Sequence, residues 1–312
     1  MSEERRGRVA IVAAATGWST AGIGQRALDV SAASQVGGRA LFAFLTLLVV
    51  VTVTSRGRTA AAFRSMGRWD IAFALLVAVA SGTFILALNH TTVANVVFMQ
   101  AAAPMLAALM GWMLLGDRVS RRTWVAIGIA AAGVGVMAGE SLGSGVAAAV
   151  LPLVMSAAFA GGVVIVRHRR HVSMLPATCL SQAIVVVAVA PFASTANAGS
   201  EDWAILAALG VGQMGLSLAL FTVGARLIAP AEVALIALLE VVLSPLWVWL
   251  AYGERPAVAT LLGGCVVLAA VVVQATAPTT PHWRGEPAGP FDPIDPIDLE
   301  SAAVAVEGTA PG

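Results

Sequence analysis

A duplicated segment is the feature that most constrains the fold of this chain. Residues 102–119 read AAPMLAALMGWMLLGDRV, and residues 239–256 read LEVVLSPLWVWLAYGERP. Alignment of these two segments, which we call the repeat alignment, places Gly116 on Gly253. Each copy closes a half of about five apolar segments, and a repeat with an odd number of crossings must enter a membrane from opposite sides in its two copies. The sequence therefore predicts two inverted halves.

The composition identifies these apolar segments as membrane helices. Hydrophobic residues make up 59% of the 312 residues and charged residues 11%, against roughly 25% charged residues in soluble domains. Runs of about 17 to 23 apolar residues can cross a hydrocarbon core of about 30 Å, and these runs lack the alternation of barrel strands. We predict an all-α membrane protein with ten transmembrane helices, near residues 9–25, 36–55, 70–88, 93–115, 122–139, 146–166, 176–194, 203–221, 231–252 and 257–275.

The placement of the arginines predicts the orientation. Fifteen of the eighteen basic residues, all arginines, fall in segments on the same predicted side of the membrane as the N-terminus. Because basic residues mark the cytoplasmic side, both termini are predicted to be cytoplasmic. The predicted order is a cytoplasmic segment at 1–8, a first repeat at 9–139, a second repeat at 146–275 and a cytoplasmic tail at 276–312.

The predicted tail differs from the rest of the chain. It holds seven prolines and six acidic residues in 37 residues, a composition that cannot bury a core. We expect a disordered segment, with docking to a cytoplasmic partner as the alternative.

A spaced pattern in the two halves resembles a known family. Pro104 precedes Gly116-Asp117-Arg118 by twelve residues, and Glu240 precedes Gly253-Glu254-Arg255 by thirteen. Together with Trp18 and Arg39, this pattern resembles the EamA-type, ten-helix members of the drug/metabolite transporter superfamily, over about residues 9–275. The second copy departs from the usual Glu-Pro pair: it has Glu240-Val241, with a proline at Pro245, which leaves the bend of this helix open.

The resemblance implies a transporter of the plasma membrane. An exporter of a small metabolite such as an amino acid, working by alternating access of the two inverted repeats, is the expected function. Efflux of drugs, or efflux or uptake of other metabolites, is the alternative within the family.

Polar residues inside the predicted helices are the candidates for a substrate site, because such residues are costly in lipid. Glu240 lies in the middle of the ninth helix, and Ser244 follows on the same face. Glu240 either lines a central cavity and couples transport, or makes a structural hydrogen bond between helices. The repeat alignment places Gln100 on Ala237, one turn from Glu240. Gln100 is therefore expected to face the same cavity or to join two helices.

Two aromatic residues and an arginine complete the predicted substrate site. Trp18 lies in mid-membrane, and alignment of the first helices of the two halves matches it to Phe159; the two rings either form walls for an apolar substrate or fill the bundle. Arg39 lies near the outer end of the second helix. It is expected to snorkel to the interface, to pair with Asp29 or to contact a substrate carboxylate.

Asn95 and Glu232 occupy equivalent positions in the repeat alignment, each in the first turn of its helix. An acidic or polar side chain there meets the positive end of the helix dipole. We predict helix capping for both residues, with a gating role as the alternative.

The sequence gives no indication of catalysis, of a cofactor or of a metal site. No histidine lies in a predicted membrane helix, which argues against an intramembrane His-Glu-x-x-His site or a nucleophile with a histidine base. The expected partners are a small-molecule substrate and the lipid bilayer, with a homodimer permitted and nucleic acid excluded. A non-transporting membrane scaffold is the remaining alternative, but it leaves the inverted duplication unexplained.

Overall fold

The described part of the chain is helical. The computed structural model describes residues 3–116, 119–169, 172–194, 198–224, 227–228 and 230–275, and the predicted tail lies outside these ranges. The helices of the first repeat are α1 Glu3–Ser19, α2 Ala21–Arg26, α3 Ala32–Thr54, α4 Thr59–Arg64, α5 Arg68–Leu88, α6 Val93–Ala101, α7 Ala103–Leu115 and α8 Arg121–Leu142. Those of the second are α9 Val146–His168, α10 Leu175–Val189, α11 Ser200–Ala207, a π-helical segment Ala208–Leu216, α12 Ser217–Gly224, α13 Pro230–Tyr252 and α14 Val258–Ala275.

Each predicted membrane segment coincides with helix, which confirms the all-α prediction. Three of the segments are interrupted: at Thr20 between α1 and α2, at Ala102 between α6 and α7, and by the π-helical segment. Helical stretches long and apolar enough to cross a membrane are Ala32–Thr54, Arg68–Leu88, Val93–Leu114, Arg121–Leu142 and Val146–Val166. Shorter apolar helices cover Leu175–Val189, Ile236–Tyr252 and Val258–Val273.

Equivalent residues of the two repeats adopt equivalent backbone conformations. Gly116 after α7 and Gly253 after α13 have φ angles of 70° and 67°, a left-handed conformation that favours glycine at the end of a helix. The starts of α5 and α11 also correspond, because the Asp70 and Asp202 carboxylates each accept a hydrogen bond from the backbone N–H three residues earlier, at 2.7 and 3.0 Å. The predicted duplication is thus visible in the fold.

The repeats exchange their first helices. α1 packs mainly against α12 and α13 of the second repeat, and α9 packs mainly against α5 and α7 of the first. We define the α1 bundle as α1, α2, α3, the π-helical segment, α12 and α13. The α9 bundle is its repeat equivalent, formed by α5, α6, α7, α9 and α10. The two bundles meet where α3 packs on α10 and α6 on α13, with α8 and α14 paired at one side.

Two ion pairs define the ends of the α1 bundle. Arg8 pairs with Glu232 where α1 and α13 begin, and Arg26 pairs with Glu254 where α2 and α13 end. We call these ends the N-terminal face and the distal face. The backbone N–H of Val93, at the start of α6, donates to Glu254, so α6 begins at the distal face whereas its repeat equivalent α13 begins at the N-terminal face. The two repeats therefore run in opposite directions through the bundle.

The two prolines of the repeated segment have different effects. Pro104 lies in the first turn of α7, directly after the interruption at Ala102, where a missing N–H removes no helical hydrogen bond. Pro245 lies inside α13, which continues without interruption from Pro230 to Tyr252. The helix that carries Glu240 is therefore continuous.

Candidate functional site

Glu240 lies near the middle of α13 and faces α1. It is partly buried and about 15 Å along a helix of about 34 Å, at 1.5 Å per residue. Trp247, seven residues later, falls on the same helical face, and its indole Nε1 donates to the Ser19 hydroxyl of α1 at 3.0 Å. The carboxyl group therefore points toward the boundary between α13 and α1.

Small side chains lie opposite Glu240. The bonds between α1 or α2 and α13 connect residues separated by 224 or 228 positions, which places Glu240 level with residues 12–16. These residues read VAAAT, and the two that are buried are Ala14 and Ala15. Among the described side chains, none lies within hydrogen-bonding distance of it. A carboxyl group in this position is free to meet a ligand or a proton.

The two polar residues predicted beside Glu240 lie on adjacent helices. Ser244 is 2% exposed, one turn beyond Glu240 on α13. Gln100 is partly buried in the last turn of α6, just before the interruption at Ala102. α6 packs against α13, but no hydrogen bond between described residues joins Gln100 to Glu240. The structure thus brings the helices together without joining these side chains.

The two aromatic residues that the repeat matches have different surroundings. Trp18 is partly buried and packs on Phe221 of α12, with ring centroids 5.1 Å apart. Phe159 is 44% exposed on α9. Trp18 is therefore held within the α1 bundle, and its aromatic partner comes from α12 rather than from its repeat equivalent.

Arg39 is buried, which corrects two of the roles expected for it. It is 4% exposed, so it does not snorkel, and it does not pair with Asp29. Its guanidinium donates to the Ser81 hydroxyl at 2.9 Å and to Gln213 Oε1 at 3.3 Å, and it lies 5.7 Å from the Phe84 ring centroid. Among the described carboxylates, none forms an ion pair with it. Among the described residues, the hydrogen-bond partners of this buried positive charge are neutral.

The partners of Arg39 reveal a polar junction related by the repeat. Alignment of α5 with α11 and the π-helical segment, which matches Asp70 to Asp202, also matches Ser81 to Gln213. Alignment of α3 and α10 from their first residues matches Arg39 to Gln182. Ser81 donates in turn to Gln182 Oε1 at 3.5 Å. These four side chains join α3, α5, α10 and the π-helical segment where the bundles meet, a junction that only a helix-by-helix alignment of the repeats could have predicted.

Asn95 and Glu232 make contacts beyond the predicted capping. Thr92, not Asn95, caps α6, since its hydroxyl accepts from the Asn95 backbone N–H. The Asn95 side chain is 1% exposed and donates to the Ser141 hydroxyl of α8 at 2.8 Å. Glu232 lies in the first turn of α13 and accepts from Arg8 Nε. Asn95 thus connects α6 to α8, and Glu232 connects α13 to α1.

The distal face holds a polar cavity of about 310 Å³. Arg26 and Glu254 form part of its wall, next to the link between α5 and α6. Glu140 also lines it and accepts a hydrogen bond from the Thr260 hydroxyl at 3.1 Å. None of the residues predicted for the substrate site lines this cavity. The remaining lining residues are Asn89, His90, Thr91, Thr92, Ser141, Ser144 and Ala257.

Comparison with known proteins agrees with this architecture. Residues 5–139 and 143–276 each match the EamA-like transporter family. One solved structure, titled "Crystal structure of protein", has 16% sequence identity and a TM-score of 0.60, covering 86% of this chain and 96% of its own. At that identity it supports the fold alone. No curated protein matched the sequence. Because the two matches together span most of the chain, this multi-pass membrane protein belongs to the EamA-like transporter family.

Proposed function

We propose that the protein exports a small metabolite, such as an amino acid, by alternating access, and that Glu240 couples transport to proton movement. The two bundles are repeat equivalents that run in opposite directions. If each bundle adopts the conformation of the other, a transporter that was open at one face becomes open at the opposite face. The proposed site surrounds Glu240 and Trp18 of the α1 bundle, with Ser244 on the same helix as Glu240. Gln100 belongs to it from α6 of the α9 bundle, which packs against α13.

The free carboxyl group of Glu240 carries this proposal. A charged side chain inside a membrane is costly, and those that occur usually face a cavity or a partner. The described side chains supply no partner for Glu240, and the residues level with it on α1 are small. A carboxyl group that can exchange a proton as access alternates would couple export to a proton gradient. Arg39, held by neutral side chains, offers a second charge of opposite sign.

The orientation belongs to the same proposal. Ten crossings of the plasma membrane, with both termini in the cytoplasm, place the arginine-rich connections inside the cell. The N-terminal face is then cytoplasmic, and the distal face is exposed outside. Export would move substrate from the N-terminal face to the distal face.

Transport by purified protein in liposomes tests the proposal. Liposomes loaded with a mixture of the twenty amino acids are diluted into each radiolabelled amino acid in turn, and uptake by exchange is measured. We expect at least one label to exchange. Glu240→Gln keeps the shape of the side chain but cannot ionise, so exchange should persist while accumulation driven by a pH gradient is lost.

Glu201→Gln is the matched control, because Glu201 is exposed at the start of α11. It should retain both exchange and gradient-driven accumulation. Gradient-driven accumulation by Glu240→Gln at the wild-type rate contradicts the coupling role. Exchange of none of the twenty labels contradicts the assignment to amino acids.

A further inference from the structure

The ion pair between Arg26 and Glu254 is the centre of a larger network at the distal face. Arg26 Nε donates to Glu254 Oε2 at 2.9 Å. The other two guanidinium nitrogens donate to the backbone carbonyls of Leu88 at 2.6 Å and Thr91 at 2.9 Å. Glu254 Oε1 accepts from the Val93 backbone N–H at 2.7 Å. Each guanidinium nitrogen and each carboxylate oxygen thus has a partner, and charge-assisted hydrogen bonds of this kind are the strong ones.

This network connects the two bundles. Arg26 and Glu254 belong to the α1 bundle. The backbone groups that they bind belong to the α9 bundle: the last residue of α5, the link that follows it, and the first residue of α6. The Arg8–Glu232 pair lies within the α1 bundle. The pair between Arg169, which follows α9, and Asp70 lies within the α9 bundle. Among the described ion pairs, only Arg26–Glu254 also bonds across the boundary.

Neighbouring contacts on the distal face cross the same boundary. Asn89, after α5, donates to Gln35 Oε1 of α3 at 2.8 Å. The hydroxyl of Ser34 on α3 donates to the Ser194 backbone carbonyl, beyond α10, at 2.8 Å. The distal ends of the bundles are therefore joined by polar bonds, of which Arg26 and Ser34 each make two.

We propose that Arg26 and Glu254 form the distal gate of the transporter. In this structure the network holds the distal ends of the two bundles together. In the proposed gate, this contact closes the path from Glu240 to the distal face. Opening requires Arg26 to release the carbonyls of Leu88 and Thr91, and Glu254 to release Val93. The proposal rests on the proposed alternating access and adds the residues that control one of its two openings.

The repeat predicts a weaker counterpart on the N-terminal face. Alignment of the two halves matches Arg26 to Arg167 and Glu254 to Asp117, whose side chains lie outside those described. The equivalent of Val93 is Pro230, and proline has no backbone N–H. The counterpart therefore lacks one hydrogen bond, and the gate model predicts that the distal-closed state is preferred at rest.

Accessibility of a buried cysteine tests the gate. Ser244 lies one turn beyond Glu240 toward the distal face and is 2% exposed, so Ser244→Cys reports opening of that path. The reporter is placed in a chain carrying Cys179→Ser and Cys265→Ser, and a charged, impermeant thiol reagent is applied to intact cells. With the gate intact, labelling should be slow. Arg26→Gln or Glu254→Gln should accelerate it at least tenfold.

Two further variants separate gating from a general loss of structure. Arg26→Lys keeps the charge but loses the planar fork that binds three acceptors, so labelling should be intermediate while folding is retained. The exchange Arg26→Glu with Glu254→Arg should restore part of the slow labelling. Arg8→Gln with Glu232→Gln is the matched control: it breaks an ion pair within the same bundle at the other face and should leave distal labelling unchanged.

The outcome is independent of any substrate. Labelling of Ser244→Cys that is equally slow in Arg26→Gln, Glu254→Gln and Arg26→Lys refutes the gate. Equal acceleration by the control pair also refutes it, because that result indicates loosening of the bundle as a whole. Failure of the transport proposal appears instead as absent exchange by wild-type protein in liposomes, a separate measurement.

Discussion

Gly133 and Gly263 bring α8 and α14 into backbone contact, and enlarging either residue should separate these helices. A Cβ atom on Gly133 would lie 2.6 Å from the Gly263 carbonyl oxygen. Ordinary contact begins near 3.4 Å, so the helices would have to move apart by roughly 0.8 Å at this crossing. Overpacking of this kind costs about 1–3 kcal/mol. We therefore expect Gly133→Ala to have a free energy of unfolding lower by that amount than Gly135→Ala, in which the same substitution meets no contact.

Gly135 provides the matched control on the same helix. A Cβ atom there meets nothing within 4 Å, and replacing a helical glycine with alanine gains up to about 1 kcal/mol. Gly135→Ala should therefore leave stability unchanged or raised. Gly263→Ala should resemble Gly133→Ala, and the double variant should lose less than the sum because both side chains meet at one contact. Titration with SDS in mixed micelles measures each free energy of unfolding. Equal stability of Gly133→Ala and Gly135→Ala refutes the close contact.

Two other predictions follow from the structure. Asp70 is 2% exposed and pairs with Arg169, whereas no described ion pair involves its repeat equivalent Asp202. Asp70→Asn should therefore lower the free energy of unfolding by about 1–3 kcal/mol, and Asp202→Asn by less than about 1 kcal/mol. Equal losses in the same SDS titration contradict this account. The proposed orientation places exposed His90 outside the cell and exposed Ser65 inside. His90→Cys should therefore react with an impermeant thiol reagent in intact cells, whereas Ser65→Cys should not. The reverse pattern overturns the proposed orientation.

The sequence predicted the elements and their duplication because both depend on local patterns. Apolar runs of sufficient length predict membrane helices, and the matching of Gly116 to Gly253 reflects a conformation that glycine adopts readily. The interruptions at Thr20 and Ala102 and the π-helical segment were not predicted, since apolar sequence continues through each of them.

The site was less predictable because its contacts join distant segments. Nothing near Arg39 in the sequence indicates Ser81 or Gln213 as partners. The sequence instead suggested Asp29, an acidic residue only ten positions away. The sequence does show that Arg26 matches Arg167, and that Glu254 matches Asp117 in the repeated segment. The contact between Arg26 and Glu254 could not be predicted, because it depends on the packing of α1 and α2 of the first repeat along α13 of the second.

The exchange of α1 and α9 between the repeats has a consequence for how such a chain could have arisen. A polypeptide equivalent to one repeat would have no surface of its own on which to pack its first helix. Two copies inserted in opposite orientations would cover each other's first helix, as the two halves do here. The architecture resembles an antiparallel dimer with its two subunits connected by the link between α8 and α9. Separately expressed halves should accordingly assemble only with each other, or with an inverted copy of themselves.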